Sequence, residues 1–288
     1  MLGFFERQRL VKKGLASSKL RRRRTESEFL DTLEHGVATK IAVLAAFVAG
    51  LGLLVHSEAS PHPLQNVLFA VLIFVTALAQ LWIIHPKTCA QNSRLALLGL
   101  VFLLHLALVK AVLVTAGHRL LPPEHAQLWR LALPLAFAPL VLSVLLGRYH
   151  GLYAAIFASL WSAILYRETD PVVLVMSLVG GFVAVFVTLR VRRWTQLLRA
   201  GVFIGLTTWL LAVLFGMVGP VFGELPGGVP WRAIGWQSAV AIGSGVVTAL
   251  LATLVLPVFQ SVFRITTDIS WLELSDLNHP LLDRKSVV

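Results

Sequence analysis

Acidic side chains are scarce in this 288-residue sequence, and its long apolar stretches contain no Asp or Glu. That removes the buried carboxylates on which intramembrane proton relays and counter-ion pairs depend. Charged residues make up only 14% of the chain. Cysteine occurs once, as Cys89 in a short loop, so no disulfide can form within the chain. There is no HExxH, no paired CxxC and no glycine-rich phosphate loop, and none of the nine histidines is followed by Asp. The sequence therefore offers no catalytic, cofactor-binding or metal-ligating residue to single out.

What is present is apolar. Hydrophobic residues are 57% of the chain, and the mean hydropathy is +0.80. A soluble domain of this length needs more polar surface, whereas each bilayer span needs about 20 apolar residues to cross a core about 30 Å thick. The expected fold class is all-α, a polytopic membrane helical bundle. A formal net charge of +11 would suggest nucleic acid in a soluble protein. Here the charge is sorted by loop, which marks topology, and no nucleic-acid partner is expected. Residues 1–39 form a polar, basic segment. A cleavable signal peptide would place its apolar core earlier, so the first span is read as a retained anchor.

Eight apolar stretches, separated by Pro, Gly and charge, fall at about 40–56, 64–84, 95–117, 129–147, 151–167, 171–190, 197–219 and 236–258. With the N-terminus inside, twenty of the 25 Lys and Arg lie in cytoplasmic segments. Only Arg119, Arg130, Arg167 and Arg232 lie outside, and Lys110 lies within a span. This bias predicts a bacterial cytoplasmic (inner) membrane protein with both termini cytoplasmic. Trp129, Trp231 and Trp236 at outer span ends, and Trp82 and Trp194 near inner ones, fit interfacial anchors. The external loops are too short to fold as ligand-binding domains.

Few residues invite a sharper reading. Arg21, Arg22, Arg23 and Arg24, with Lys12, Lys13 and Lys19, form a basic cluster suited to anionic lipid; the plainer reading is a positive-inside determinant. His105 and Lys110 share the third stretch on differing faces, and with Gln80 they motivate a transport alternative. Lys110 lies about 8 Å of helix rise from Thr115, near enough to snorkel to the outer interface. Gly180-Gly181, the Gly201/Gly205 GxxxG, and Gly243 with Gly245 place small residues for close helix packing, within one polypeptide before self-association. His279, with Asp276 and Asp283, reads as a solvated turn rather than a metal site.

After the last span, which Pro257 is expected to end, the tail shows helix and turn signals. Leu256-Pro257-Val258-Phe259-Gln260-Ser261-Val262-Phe263-Arg264-Ile265-Thr266-Thr267-Asp268 resembles the exit from the last span of a known family. That family is the bacterial seven-transmembrane receptors with an intracellular HD-type phosphohydrolase domain. Leu272-Glu273-Leu274-Ser275-Asp276-Leu277-Asn278-His279-Pro280-Leu281-Leu282 resembles its juxtamembrane connector. Gly180-Gly181, then Arg190-Val191-Arg192-Arg193 and Leu197-Leu198-Arg199-Ala200-Gly201, resembles its cytoplasmic loop and following span.

The resemblance implies a receptor-like phosphodiesterase whose HD domain, holding a divalent metal pair, hydrolyses a cyclic dinucleotide such as cyclic di-AMP. The sequence departs from the family twice: only Ser57 to Pro63 join the first two spans, and the chain stops after Leu282 at Asp283-Arg284-Lys285-Ser286-Val287-Val288. No catalytic position carries over. The expected organisation is a basic segment 1–39, an anchor span 40–56, a seven-transmembrane region 64–258 and a connector 259–288 truncated before an HD domain. Such a module is expected to signal but to be inactive alone, with no cofactor of its own. Its expected partners are the bilayer and a separate HD domain or a second copy of itself. The alternative is a stand-alone small-solute transporter or assembly partner.

Overall fold

The computed structural model describes residues 34–56, 62–117, 126–166, 171–189, 194–219 and 231–263. Among them all regular structure is helical. In chain order the helices are α1 (Val37–Val55), α2 (Pro63–Ile84), α3 (Pro86–Ala90), α4 (Asn92–Gly117) and α5 (Ala126–Leu131). They continue with α6 (Phe137–Leu145), α7 (Arg148–Tyr166), α8 (Val172–Thr188), α9 (Trp194–Leu214) and α10 (Trp231–Phe263). Five of these, α1, α2, α4, α9 and α10, are long and apolar enough to cross a bilayer. The protein is an all-α membrane helical bundle. The basic cluster at Arg21–Arg24, the connector from Arg264 onward and His279 lie outside the described residues.

Local chemistry sets three of the helix ends. Pro63 and Pro86 open α2 and α3 in the first turn, where a missing N–H costs nothing. α9 stops before the predicted 219, because Gly216 adopts φ 68° just beyond Leu214. Its N–H reaches Val213 O at 3.0 Å while Met217 N–H reaches Ala212 O at 2.8 Å. This is a Schellman closure, and a Cβ at Gly216 would strain it.

Three expectations need correction. The fourth apolar stretch, 129–147, is two short helices, α5 and α6, interrupted around Pro134. Leu131, Leu133, Leu135 and Phe137 are all buried there. Ser177 of α8 donates its hydroxyl to the freed Leu135 carbonyl at 3.4 Å. Irregular backbone is tolerated inside a bundle when protein surrounds it, as here. Pro257, expected to end the last span, instead sits inside α10, which runs unbroken to Phe263. The proline removes one helix hydrogen bond. Packing past it, through buried Phe259 and its edge contact with Phe263 at 6.2 Å, carries the helix on. Cys89 lies in a short helix, not a loop, and is buried.

α6, α7 and α8 fill the centre, and α9 packs most closely on α10. α6 buries Phe137 through Leu142 without a gap. At the edge α1 buries only Phe47, Leu51 and Val55, and α2 only Ala70, Ala77 and Leu81. These two helices leave most of their apolar surface for lipid.

Candidate functional site

Several polar groups of the interior lie along α7, where it faces α2 and α4, and others sit on α8 and α10. Trp161, only 1% exposed, donates its indole N–H to Ala70 O of α2 at 3.1 Å. Two turns earlier on α7, the Tyr153 hydroxyl donates to Ala77 O at 3.1 Å. These rungs tie α7 to α2 through backbone carbonyls, so helix register is held by side chains that cannot slide one turn without losing both. Phe102 lies edge-on to Trp161 at 4.9 Å, and Phe47 of α1 does the same at 5.7 Å. Offset and edge geometries of this kind suit the ring quadrupole.

His105 is fully buried one turn beyond Phe102. Its Nε2 lies 3.1 Å from the Ser162 hydroxyl of α7, and its Nδ1 has no hydrogen-bond partner among the described residues. Lys110, one and a half turns further, behaves differently. Its ammonium donates to Leu53 O at 3.1 Å and His56 O at 3.2 Å, the last carbonyls of α1. A cation at a helix C-terminus meets the negative end of the dipole and satisfies carbonyls that lack an intrahelical donor.

The other end of α1 is also tied down. The His35 ring donates to Ala90 O at 3.1 Å, and Asn92 Nδ2 donates to Gly36 O at 2.9 Å. Ser93 donates to the Glu34 carboxylate at 2.6 Å. The helix read as a simple anchor is therefore fixed to the α3–α4 turn at one end and to Lys110 at the other.

Close by, His150 contacts Leu146 O through Nδ1 at 3.0 Å and the Thr88 hydroxyl through Nε2 at 2.9 Å. A carbonyl partner requires the proton on Nδ1, so the neutral ring accepts from Thr88 at Nε2. His85 stacks on His150 at 4.5 Å. Burial pushes the Cys89 thiol up, with Lys40 pulling in the opposite direction.

On the far side, α9 crosses α10 through glycines. A Cβ on Gly201 would lie 2.6 Å from Ala249 Cβ and 2.9 Å from Gly245 O, and one on Gly205 would lie 2.9 Å from Ile242 Cα. Gly245 faces the Gly205 nitrogen and the Gly201 carbonyl directly. The GxxxG thus closes a contact within the chain. Gly181 packs on Ala155 and Pro139, while Gly180 and Gly243 face open space, which the sequence pattern alone does not separate.

His105 and Lys110 are not brought together: one joins Ser162 inside, the other caps α1. Sequence reasoning missed Trp161, Tyr153, Thr88 and the His85–His150 pair. The eight-residue spacing of Tyr153 and Trp161, two polar-tipped aromatics on one helix face, was the available signal. Among the described residues no three His, Cys, Asp or Glu side chains come close enough to hold a metal ion.

Hydrogen bonds directed at neighbouring helices hold the described helices in register within a multi-pass membrane bundle. The chain belongs to the family described as 7TM receptor with intracellular HD hydrolase, whose model matches residues 63–267. That match begins at α2 and leaves α1 outside. The chain is similar to the cyclic-di-AMP phosphodiesterase PgpH of Listeria monocytogenes serotype 1/2a (strain 10403S), at 24% identity over 152 residues. The aligned part is 52% of this chain and 20% of that protein, so the chain spans only a fraction of its relative's length. No solved structure matches it.

Proposed function

We propose that the chain is the membrane receptor module of an HD-type phosphodiesterase acting in cyclic-dinucleotide signalling. The family match over residues 63–267 carries this reading. The relative named for cyclic di-AMP supports that substrate. The unbroken α10, 33 residues or about 50 Å long, supports a mechanical coupling. It is longer than a bilayer core requires and passes Pro257 without stopping, as a rod does when it carries a displacement out of the membrane. The Lys and Arg bias supports eight crossings, one preceding a set of seven, with both termini in the cytoplasm of a bacterial inner membrane. Exposed Trp82, Trp231 and Trp236 at helix ends agree with it. The capping role of Lys110 favours signalling over small-solute transport, because its ammonium already has acceptors.

The test joins residues 1–288 to an HD domain of the family and measures cyclic di-AMP hydrolysis in membranes. The joined protein is expected to hydrolyse it with a rate that Gly205→Leu in the membrane part changes severalfold. Residues 1–288 alone are expected to show none. A rate indifferent to every membrane-part variant, or manganese-dependent hydrolysis by residues 1–288 alone, overturns the proposal.

A further inference from the structure

The edge of the bundle carries a groove between α1 and α2 that the signalling reading does not use. It has a volume of about 390 Å³ and is walled by Leu44 of α1, by Val75, Leu78, Ala79 and Trp82 of α2, and by Leu95 of α4. The α2 residues recur at helical spacing, so they present one continuous apolar face. Leu44, Leu78 and Leu95 also line a smaller void of about 30 Å³ beside Phe47, Phe102 and Trp161. The groove therefore backs onto the aromatic cluster that ties α1, α2, α4 and α7 together.

One end of the groove is charged. Lys40, in the first turn of α1, lines it beside Cys89, and Trp82, 71% exposed, stands at the same rim. Lys110 donates to two carbonyls, whereas Lys40 reaches no carboxylate among the described residues. Glu34 is the one carboxylate those residues contain, and Ser93 engages it. Lys87 follows in α3 with its side chain exposed. An apolar trough of this size, with an ammonium that meets no carboxylate among the described residues and an interfacial tryptophan at one mouth, has the polarity of a phospholipid: a tail along the wall, a headgroup at the rim.

We propose that this groove is a specific site for one anionic phospholipid, its acyl chain along α2 and its phosphate at Lys40. The site uses α1, which lies outside the family match. It holds whether or not the signalling proposal does.

The full chain, released from nanodiscs of phosphatidylcholine with a minority of phosphatidylglycerol, is examined by native mass spectrometry. One retained phosphatidylglycerol per chain is expected, favoured over phosphatidylcholine by about fivefold, the effect of one lysine near an anionic headgroup. Lys40→Gln is expected to abolish that preference while the groove still retains lipid, and Lys40→Arg to keep it. Ala79→Trp, which fills the trough, should remove the retained lipid whatever its headgroup, and Lys110→Gln, at the opposite end of α1, should leave the headgroup preference as it is. An undiminished preference in Lys40→Gln, or lipid retained by Ala79→Trp as in the native chain, overturns the proposal. A lipid-free dimer burying the groove against a second copy overturns it equally.

Discussion

The two sides of the bundle solve the same packing problem with opposite means. Around α1, α2, α4 and α7, large side chains fill the space, and indole and phenol groups donate to the carbonyls of a neighbouring helix. Between α9 and α10, Gly201, Gly205 and Gly245 let backbone meet backbone, and the Trp209 indole donates to the Ser238 hydroxyl at 2.9 Å. Lipid tails are as apolar as leucine, so neither side gains from hiding apolar surface as a soluble core does. The first side gains directed hydrogen bonds and ring contacts, which specify register. The second gains mainly dense backbone contact, which specifies distance and crossing, beside the directed Trp209–Ser238 bond.

The largest test of that contrast is Trp161→Ala. It leaves a cavity inside the aromatic cluster and removes the donor to Ala70 O, and is expected to cost about 3–5 kcal/mol of unfolding free energy in detergent. Trp161→Phe removes mainly the hydrogen bond and should cost about 1 kcal/mol. If both cost the same, the cluster is held by its hydrogen bond alone and the contrast fails.

A matched pair of glycines comes next. Gly205→Ala drives a methyl into the Ile242 backbone, which cannot step aside, and should cost about 1–3 kcal/mol or more. Gly50→Ala on the opposite side meets only the ends of the Leu103 side chain, at 2.9 and 3.0 Å. That chain can change rotamer, and alanine's better helix propensity offsets about 1 kcal/mol, so little net change is expected. Thermal unfolding of the two variants in one detergent settles the difference, and equal losses would refute it.

Smaller is the effect of Lys110→Met, which removes a donor from the last carbonyls of α1. About 1 kcal/mol or less is expected, as for a cation at a partly exposed helix end. Faster hydrogen exchange confined to the last turn of α1 would locate the loss. Exchange spread through α4 would mean that Lys110 does something other than cap.

Much of the fold was legible because a long, uncharged apolar run is stable in few places besides a bilayer. Five of the runs read directly as spanning-length helices, as did the GxxxG as a contact within the chain, whereas Lys110, read as snorkelling to the outer interface, donates to carbonyls at the end of α1. The prolines did not. Pro134 lies in a run read as continuous and breaks it, whereas Pro257 was read as a stop and the helix passes through it. The outcome depends on whether neighbours satisfy the freed groups and hold the next turn, as Ser177 and Phe259 do, and that information is tertiary. The buried seam was hidden for the same reason. His105 announced itself as ionisable, but its partner Ser162 is 57 residues away. The carbonyls that accept from Trp161 and Tyr153 have no side-chain signature at all.

The smallest effect concerns Cys89, where the filled side of the bundle meets its surface. Only the thiolate reacts, and burial pushes this thiol's pKa above its ordinary value. Maleimide labelling of the native chain at neutral pH is therefore expected to be much slower than for an exposed cysteine, and to speed up as the pH rises. Lys40 acts the other way on the same thiol, so Lys40→Gln should slow labelling further by a factor of a few. Gly205→Ala, acting on the far side, should leave the rate alone if the two sides are independent. A rate that rises in Gly205→Ala would show that loosening α9–α10 opens the α1–α2 groove, and the two halves would then have to be treated as one mechanical unit.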